Sequence, residues 1–151
     1  MAGTNETGIG AEPTTARPTF SRAIALELKD EHSEIPRTRR AVHDALRHWG
    51  FDALADDLGL LASELVTNAL RHGKQPVTVL LRLCDGLVHL EVNDASPAEP
   101  EIREPDPERG SGQGLLLVRA FSDEWGWQRK GPGKTVWCKR RQKPPSVRAV
   151  S

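Results

Sequence analysis

The sequence lacks the residues and segments that define several classes of protein. Its two cysteines, Cys84 and Cys138, are too few for a disulfide-rich scaffold and do not have the spacing of metal ligands. No apolar run approaches the ~20 residues that a membrane-spanning helix requires. The first residues contain no charged segment followed by an apolar one, as a secretory signal does. We therefore expect a reduced, soluble, cytoplasmic protein that makes no membrane contact.

An excess of charge of either sign is also absent. The 21 Lys and Arg residues balance 21 Asp and Glu residues, so the surface as a whole is not built to bind a polyanion. Eight basic residues and no acidic ones do lie between Trp125 and Ser151. Because Trp137 is the one aromatic residue that interleaves with them, we interpret this end as a solvated, solubilising segment. Binding of nucleic acid through this basic end is the less favoured interpretation.

One folded domain with two tails is the organisation that length and composition predict. A chain of 151 residues fits a single domain of ~100–200 residues. Residues 1–18 are rich in Gly, Thr, Glu and Pro and nearly lack large apolar side chains, so burial cannot offset their ordering entropy. We predict a disordered tail there and another at residues 142–151, with the folded domain at residues 19–141.

Hydrophobic periodicity predicts the order strand, two helices, two strands, loop, helix, two strands. Large apolar residues alternate from Ile24 to Leu28, as they do in a half-buried strand. Helical spacing follows after Ser33, a candidate N-cap, and again from about Ala53 to His72. Two strands then flank Asp85-Gly86, which is a strong signal for a hairpin.

A long proline-rich loop separates this hairpin from the last elements. Residues Ala95 to Ser111 show no periodicity, and a loop of this length inside a compact domain is usually functional and often a lid. Gly112-Gln113-Gly114 then opens a short apolar helix, and two final strands meet at Gly131-Pro132-Gly133. Because strands and helices segregate along the chain, we predict an α+β sandwich with helices on one face of a mainly antiparallel sheet.

Three polar residues of the second helix are the most informative for function. Glu64, Asn68 and His72 are four residues apart, which stacks them on one face beside the apolar stripe. Asn is a poor helix former, and the side-chain oxygen of Asn68 suits Mg²⁺ that is held together with substrate phosphates. Glu64 is placed to act as a general base toward a hydroxyl or water that attacks phosphorus. An ordinary amphipathic helix with a polar rim explains the spacing equally well.

Three weaker features follow this helix. Asp94 ends a predicted strand, where its carboxylate accepts either an exocyclic amine of a purine or the backbone N–H of an Asx-turn. The glycines of residues 110–118 precede a helix, which is a weak anion-binding pattern and also the pattern of a hinge. Thr135 opens the last strand and either places a hydroxyl in the same pocket or simply favours the strand.

The order of these features resembles that of the GHKL ATPase superfamily. Within it, ELVTNALRHG, VNDASPAEP and GQGLLLV are similar to segments of the bacterial anti-sigma-factor serine/threonine protein kinases. The resemblance extends over the folded residues 19–141. It implies the Bergerat fold, which is a two-layer α/β sandwich with an ATP-lid loop, and it implies ATP and Mg²⁺ as cofactors.

The resemblance also implies roles for individual residues. Glu64 is then the general base and Asn68 the Mg²⁺ ligand, while Asp94 accepts a hydrogen bond from the adenine amine. The nucleotide contacts that it implies lie at Asn68, His72, Asp94, Ser96, Gly110, Ser111, Gly112, Gln113, Gly114, Leu115 and Thr135. One box departs from the family pattern, because D-x-G-x-G reads Asp94-Ala95-Ser96-Pro97-Ala98 here. Both glycines are missing, so the backbone next to the adenine must differ.

The implied activity is transfer of the ATP γ-phosphoryl group to a serine of an antagonist protein. The implied partners are that antagonist and a sigma factor, which a homodimer of the chain sequesters. The alternative is a non-catalytic binding module of the same fold that sequesters a protein partner, with ATP absent or structural. The two differ in whether Glu64 is needed for a phosphorylated product.

Overall fold

Strands and helices follow one another in the order that the hydrophobic periods predict. The structure, a computed structural model, describes residues 22–100 and 114–142. The strands in these residues are β1 (Arg22–Leu28), β2 (Val77–Cys84), β3 (Leu87–Asp94), β4 (Glu124–Lys130) and β5 (Gly133–Arg141). The helices are α1 (Glu34–His48), α2 (Asp52–His72) and α3 (Gly114–Phe121). Residues 1–21, 101–113 and 143–151 lie outside the described residues, and they include the tail predicted at residues 1–18 and all but the first residue of the tail predicted at residues 142–151. Gln142 is described, and its backbone N–H donates to the Gly86 carbonyl at 3.4 Å.

The five strands form one sheet in the order β1-β2-β3-β5-β4. Every pair of neighbours is antiparallel. The hairpin between β2 and β3 turns at Asp85 and Gly86, with φ angles of 49° and 78°. Two positive φ angles in sequence are those of a type I′ turn, which is why Asp-Gly favours this connection. In the register between β3 and β5, Asp94 lies opposite Lys134.

The helices cover one face of the sheet and bury its alternate residues. Leu58, Leu61 and Leu65 of α2 belong to the same apolar cluster as the inward-facing side chains of β2, β3 and β5. The inward-facing residues are Val77, Val79, Leu81, Leu83, Val88, Leu90, Val92, Val136 and Cys138. This two-layer α+β sandwich confirms the predicted fold class, in which period-two strands meet period-3.6 helices.

The expected N-cap of α1 is wrong in its detail. Ser33 lies at the N-cap position but makes no side-chain capping bond, because its backbone is already helical, with φ −65° and ψ −14°. Glu34 anchors this end of the helix instead, since its carboxylate accepts the Lys29 N–H at 2.7 Å and a bond from Arg37. The hydrogen bond from Arg37 is the main reason that the pKa of Glu34 is lowered.

Two remaining features agree with the absences noted in the sequence. Within the described residues, no helix is long and apolar enough to cross a membrane. Cys84 and Cys138 are both free, and burial raises the pKa of the Cys138 thiol to about 12. Cys138 therefore acts as a small apolar residue of the core.

Replacement of Leu61 by alanine tests the assigned core. Leu61 is fully buried between α2 and the sheet, so Leu61→Ala is expected to lower the free energy of unfolding by ~2–5 kcal/mol. Urea denaturation followed by circular dichroism measures the change. Arg40→Ala on the exposed side of α1 is the control and should stay within about 0.5 kcal/mol of the parent chain. Equal effects of the two substitutions would contradict this packing.

Candidate functional site

A cavity of about 260 Å³ lies between the C-terminal half of α2 and the sheet. Asn68 and His72 of α2 line it on one side, and Asp94 at the end of β3 lines it on the other. The spacing of four residues on α2 and the strand end therefore bring these three predicted site residues together. Val92 and Val136 form an apolar floor between them. The cavity thus combines flat apolar walls with a few polar groups, as small-molecule sites do.

Glu64 lies one helical turn before Asn68 and is half-buried. It is not among the described residues that line the cavity, so the structure does not bring it together with Asn68, His72 and Asp94 there. Burial raises the pKa of the Glu64 carboxyl, while the positive charges of Arg71 and Arg39 oppose the shift. A carboxylate with a raised pKa is a better proton acceptor than an exposed one, which suits the predicted general base.

The Asp94 carboxylate is buried and has two partners. Its Oδ1 accepts the backbone N–H of Ser96 at 2.7 Å, so the Asx-turn proposed as an alternative does form. The Lys134 ammonium lies 3.2 Å from Oδ1 and 3.1 Å from Oδ2. These bonds do not exhaust the carboxylate, because each of its oxygens has two acceptor positions. The Asx-turn and a bond to a purine amine are therefore compatible.

Two glycines allow the backbone to close around Asp94. A Cβ on Gly73, at the end of α2, would lie 2.6 Å from Asp94 Cγ. A Cβ on Gly133, at the start of β5, would lie 2.0 Å from the Asp94 carbonyl oxygen. Both distances are far below contact distance, so any side chain at either position displaces Asp94. The helix end, the two strand ends and the carboxylate form one packed unit.

Thr135 is not where the sequence analysis expected it. The Thr135 hydroxyl donates to Asn93 Oδ1, and Thr135 does not line the cavity. Successive residues of a strand point to opposite faces, and Asp94 pairs with Lys134 while Asn93 pairs with Thr135. Lys134 therefore occupies the place beside Asp94 that was expected for Thr135. The alternation of Val136 and Cys138 as inward-facing residues already contains this signal, because it puts Lys134 on their face.

The other residues predicted to contact the nucleotide divide into two groups. Ser96 is buried and serves the turn, since its Oγ accepts the Ala98 N–H at 3.2 Å, and it does not line the cavity. Gly114 begins α3, and Leu115 follows it in the same helix. The predicted contacts at Gly110, Ser111, Gly112 and Gln113 lie outside the described residues.

The described start of the loop is tied to the rest of the domain. The Ala95 N–H donates to the Lys74 carbonyl at 2.8 Å, which joins the loop to the segment after α2. Arg129 of β4 donates to the Pro97 carbonyl. The following residues, Ala98, Glu99 and Pro100, line the cavity. This part of the predicted lid therefore forms a wall of the cavity.

The residues of the cavity fit a purine nucleotide with its metal ion. Val92 and Val136 match the flat face of a base, and the buried Asp94 carboxylate is an acceptor for an exocyclic amine. Within the described residues, no cluster of three or more His, Cys, Asp or Glu side chains could hold a metal ion. Mg²⁺ would accordingly depend on the Asn68 oxygen and on phosphates of the ligand, as is usual for this ion.

The family of the chain follows from the match to a family model. The model of the histidine kinase-like ATPase domain matches residues 28–140. The chain belongs to this family. The anti-sigma F factor of Geobacillus kaustophilus is 30% identical in an alignment of 115 positions that covers 67% of this chain and 77% of that protein. The family resemblance predicted from ELVTNALRHG and the later motifs is thus confirmed.

A solved structure shares the fold. The crystal structure of the RsbU and RsbW domains of a Mycobacterium tuberculosis protein is similar, with a TM-score of 0.64 and 21% sequence identity. The similarity covers 83% of this chain and 34% of that chain, so the present chain spans about a third of its length. This agreement supports the two-layer sandwich with helices on one face of the sheet.

Gly133→Ala tests the packed unit around Asp94. Because the added Cβ would meet the Asp94 carbonyl oxygen at 2.0 Å, the start of β5 must shift, and we expect a loss of about 1–3 kcal/mol in unfolding free energy. Thermal and urea denaturation measure this loss. The control is Gly131→Asn, since Gly131 has open space around it and a φ of 59°, which asparagine tolerates. A Gly133→Ala chain as stable as the parent would refute the close approach.

Proposed function

We propose that the chain binds Mg-ATP and transfers the γ-phosphoryl group to a serine of an antagonist protein, and that it sequesters a sigma factor when that antagonist is absent. The observation that carries the proposal is the meeting of Asn68, His72 and Asp94 at one cavity, with Glu64 one helical turn before Asn68 on the same helix. Membership of the histidine kinase-like ATPase family and the anti-sigma F factor relative support it.

In this proposal the sheet end binds the base and the helix α2 serves the phosphates. Asp94 accepts the adenine amine, while Val92 and Val136 contact the face of the ring. Asn68 supplies an oxygen to Mg²⁺, which neutralises phosphate charge when it is bound. His72 lies one turn further along α2, at the exposed end of the cavity. The helix start at Gly114 provides free backbone N–H groups, which suit an anion.

Glu64 removes the proton from the serine hydroxyl in the proposed reaction. Its half-buried position keeps the carboxylate poorly solvated and raises its pKa, which strengthens it as a base. The rate should fall as pH decreases through the raised pKa, because the protonated carboxyl cannot accept a proton.

The partners and the setting belong to the same proposal. We propose two protein partners, because the relative is an anti-sigma F factor. One is a sigma factor, and the other is the antagonist protein whose serine is phosphorylated. A homodimer in the cytoplasm is proposed as the working form. Co-purification of the chain with a sigma factor, followed by release when the unphosphorylated antagonist is added, tests this scheme.

A non-catalytic binding module is the second candidate. The absence of both glycines after Asp94 favours it, because the backbone at the end of the cavity that would hold the base then differs from the family pattern. Such a module would sequester its partner without consuming ATP. Calorimetry of the parent chain with Mg-ATP separates the two candidates. If the chain does not bind the nucleotide at millimolar concentration, only the non-catalytic module agrees with the result.

Glu64→Gln should abolish the phosphorylated product while ATP remains bound. Loss of a general base reduces the rate by roughly 10²–10⁴-fold, and mass spectrometry of the antagonist measures the phosphoserine. A carboxyl whose pKa is raised in the folded state destabilises that state above its unfolded pKa. Glu64→Gln is therefore expected to be at least as stable as the parent at neutral pH.

The control for this substitution is Glu27→Gln on the exposed edge strand β1, which should leave product formation unchanged. Full activity of Glu64→Gln with unchanged ATP affinity would eliminate Glu64 as the base. Thermal denaturation of Glu64→Gln shows whether the variant is folded. Activity that is lost because the variant does not fold is not counted as loss of catalysis.

Asn68→Ala should remove the effect of Mg²⁺ on ATP binding. The side-chain oxygen of Asn68 is the proposed protein ligand of the ion, so ATP affinity in the variant should be the same with Mg²⁺ and with EDTA. Titration calorimetry in both buffers measures this difference. Asn93→Ala is the matched control, because Asn93 lies on the opposite face of the sheet and bonds to Thr78. Retained Mg²⁺ dependence in Asn68→Ala would refute the metal role.

A further inference from the structure

Lys134 is a buried lysine at the wall of the cavity. It is 6% exposed, and its partner Asp94 is 7% exposed. Lysine is almost never buried to this extent unless its ammonium is paired. The pair lies where β3 ends and β5 begins, and both residues line the cavity. The position of the pair at the proposed base-binding end calls for a role in ligand binding.

Stability alone explains the pair poorly. Removing two charges from water is costly, and a buried ion pair is often no better for stability than apolar residues of the same volume. The neighbouring inward-facing residues of the two strands, Val92 and Val136, are apolar. A third apolar pair at Asp94 and Lys134 would extend that core and close the end of the cavity. The chain places a donor and an acceptor there instead.

The pair retains unused hydrogen-bonding capacity on the cavity side. An ammonium group has three donors, and the described bonds of the Lys134 ammonium go to Asp94 alone. The carboxylate has its Oδ1 fixed by the Ser96 N–H at 2.7 Å and its Cγ confined by Gly73. The Asp94 carboxylate, which is a fixed acceptor, and the Lys134 ammonium, which is a donor about 3 Å from it, therefore lie together at the cavity wall.

Adenine presents the complement of this arrangement on one edge. Its exocyclic amine is a donor, and the adjacent ring nitrogen N1 is an acceptor. We propose that Lys134 is a second base-reading residue, whose ammonium donates to N1 of adenine while Asp94 accepts the exocyclic amine. The inference rests on the proposed function, because it assumes that the base of ATP enters this cavity. Lys134 then makes the contact with the base in the pocket where Thr135 was expected.

Other described groups near Asp94 are not placed for this task. The Ser96 N–H is used by Asp94, and the Ser96 hydroxyl, which accepts the Ala98 N–H, does not line the cavity. The Thr135 hydroxyl is on the other face of the sheet. Guanine exchanges donor and acceptor along the same edge, so in the pose proposed for adenine the fixed carboxylate would face its carbonyl oxygen.

The test compares Mg-ATP with Mg-1-deaza-ATP, in which a C–H replaces N1. Hydrogen bonds to a charged group are strong enough to change affinity by roughly tenfold or more. The parent chain should bind 1-deaza-ATP at least about tenfold more weakly than ATP. Lys134→Met should bind the two nucleotides equally, and titration calorimetry measures both. Lys139→Met is the matched control, since Lys139 belongs to the same strand but lies over Trp137 on the outer face.

Discrimination by Lys134→Met equal to that of the parent would overturn the inference. Tighter binding of ATP by Lys134→Met would also overturn it, because Lys134 would then compete with the base for Asp94. A parent chain that binds ATP but does not discriminate against 1-deaza-ATP overturns this inference and leaves the proposed function standing. A parent chain that binds no ATP refutes both.

A measurement on the parent chain covers the case in which Lys134→Met does not fold. With ¹⁵N-labelled lysine side chains, the Nζ resonance of the buried lysine should shift when Mg-ATP is added. It should shift less with Mg-1-deaza-ATP at saturation, since the acceptor is missing. Equal shifts with the two nucleotides would contradict a bond from Lys134 to N1.

Discussion

The packing of Asp94 between Gly73 and Gly133 determines where the cavity lies. This contact joins the end of α2, the end of β3 and the start of β5, which are far apart in the sequence. With no side chain on either glycine, the backbone comes close enough to bury the carboxylate while one of its edges still reaches the cavity. Every polar group of the proposed site is positioned relative to this unit.

Helix α2 contributes to both the core and the site because its apolar residues and its polar residues each repeat at helical spacing. Leu58, Leu61 and Leu65 repeat at helical spacing and pack on the sheet, which fixes the rotation of the helix. That rotation leaves Asn68 facing the cavity and Glu64, one turn earlier, half-buried. A change in the apolar stripe would therefore alter the rotation of the helix and move the polar stripe with it. The stability of the core and the geometry of the site depend on the same residues.

The helices, strands and turns that follow from hydrophobic periodicity and local turn residues were predictable from the sequence. Alternation from Ile24 to Leu28, the repeat along α2 and the Asp85-Gly86 turn each report local geometry, and the structure confirms them. Asn68 and Asp94 were also predictable as neighbours of one cavity through the family motifs. Local pattern does not reveal what the backbone does at Ser33, where a helical conformation replaces the expected cap.

The misplacement of Thr135 shows a second limit of local pattern. A shift of one residue along a strand moves a side chain to the opposite face, so the choice between Lys134 and Thr135 depends on the pairing of β5 with β3. Thr135 was expected in the pocket because its hydroxyl opens the last strand and because the family resemblance implied it. The apolar residues Val136 and Cys138 carry the decisive alternation, and a buried lysine becomes acceptable only once Asp94 is known to lie opposite it.

The base-binding end and the phosphate-binding end of the proposed site are built from different elements. The first consists of strand ends, where Lys134 and the missing glycines distinguish this chain. The second is the face of α2 on which Glu64, Asn68 and His72 are four residues apart. A substitution at a strand end leaves the apolar stripe of α2 and its packing on the sheet unchanged, so it would alter the first end of the proposed site without moving the second. The two candidate functions therefore differ in what the strand ends admit to the cavity, and the helix alone does not distinguish them.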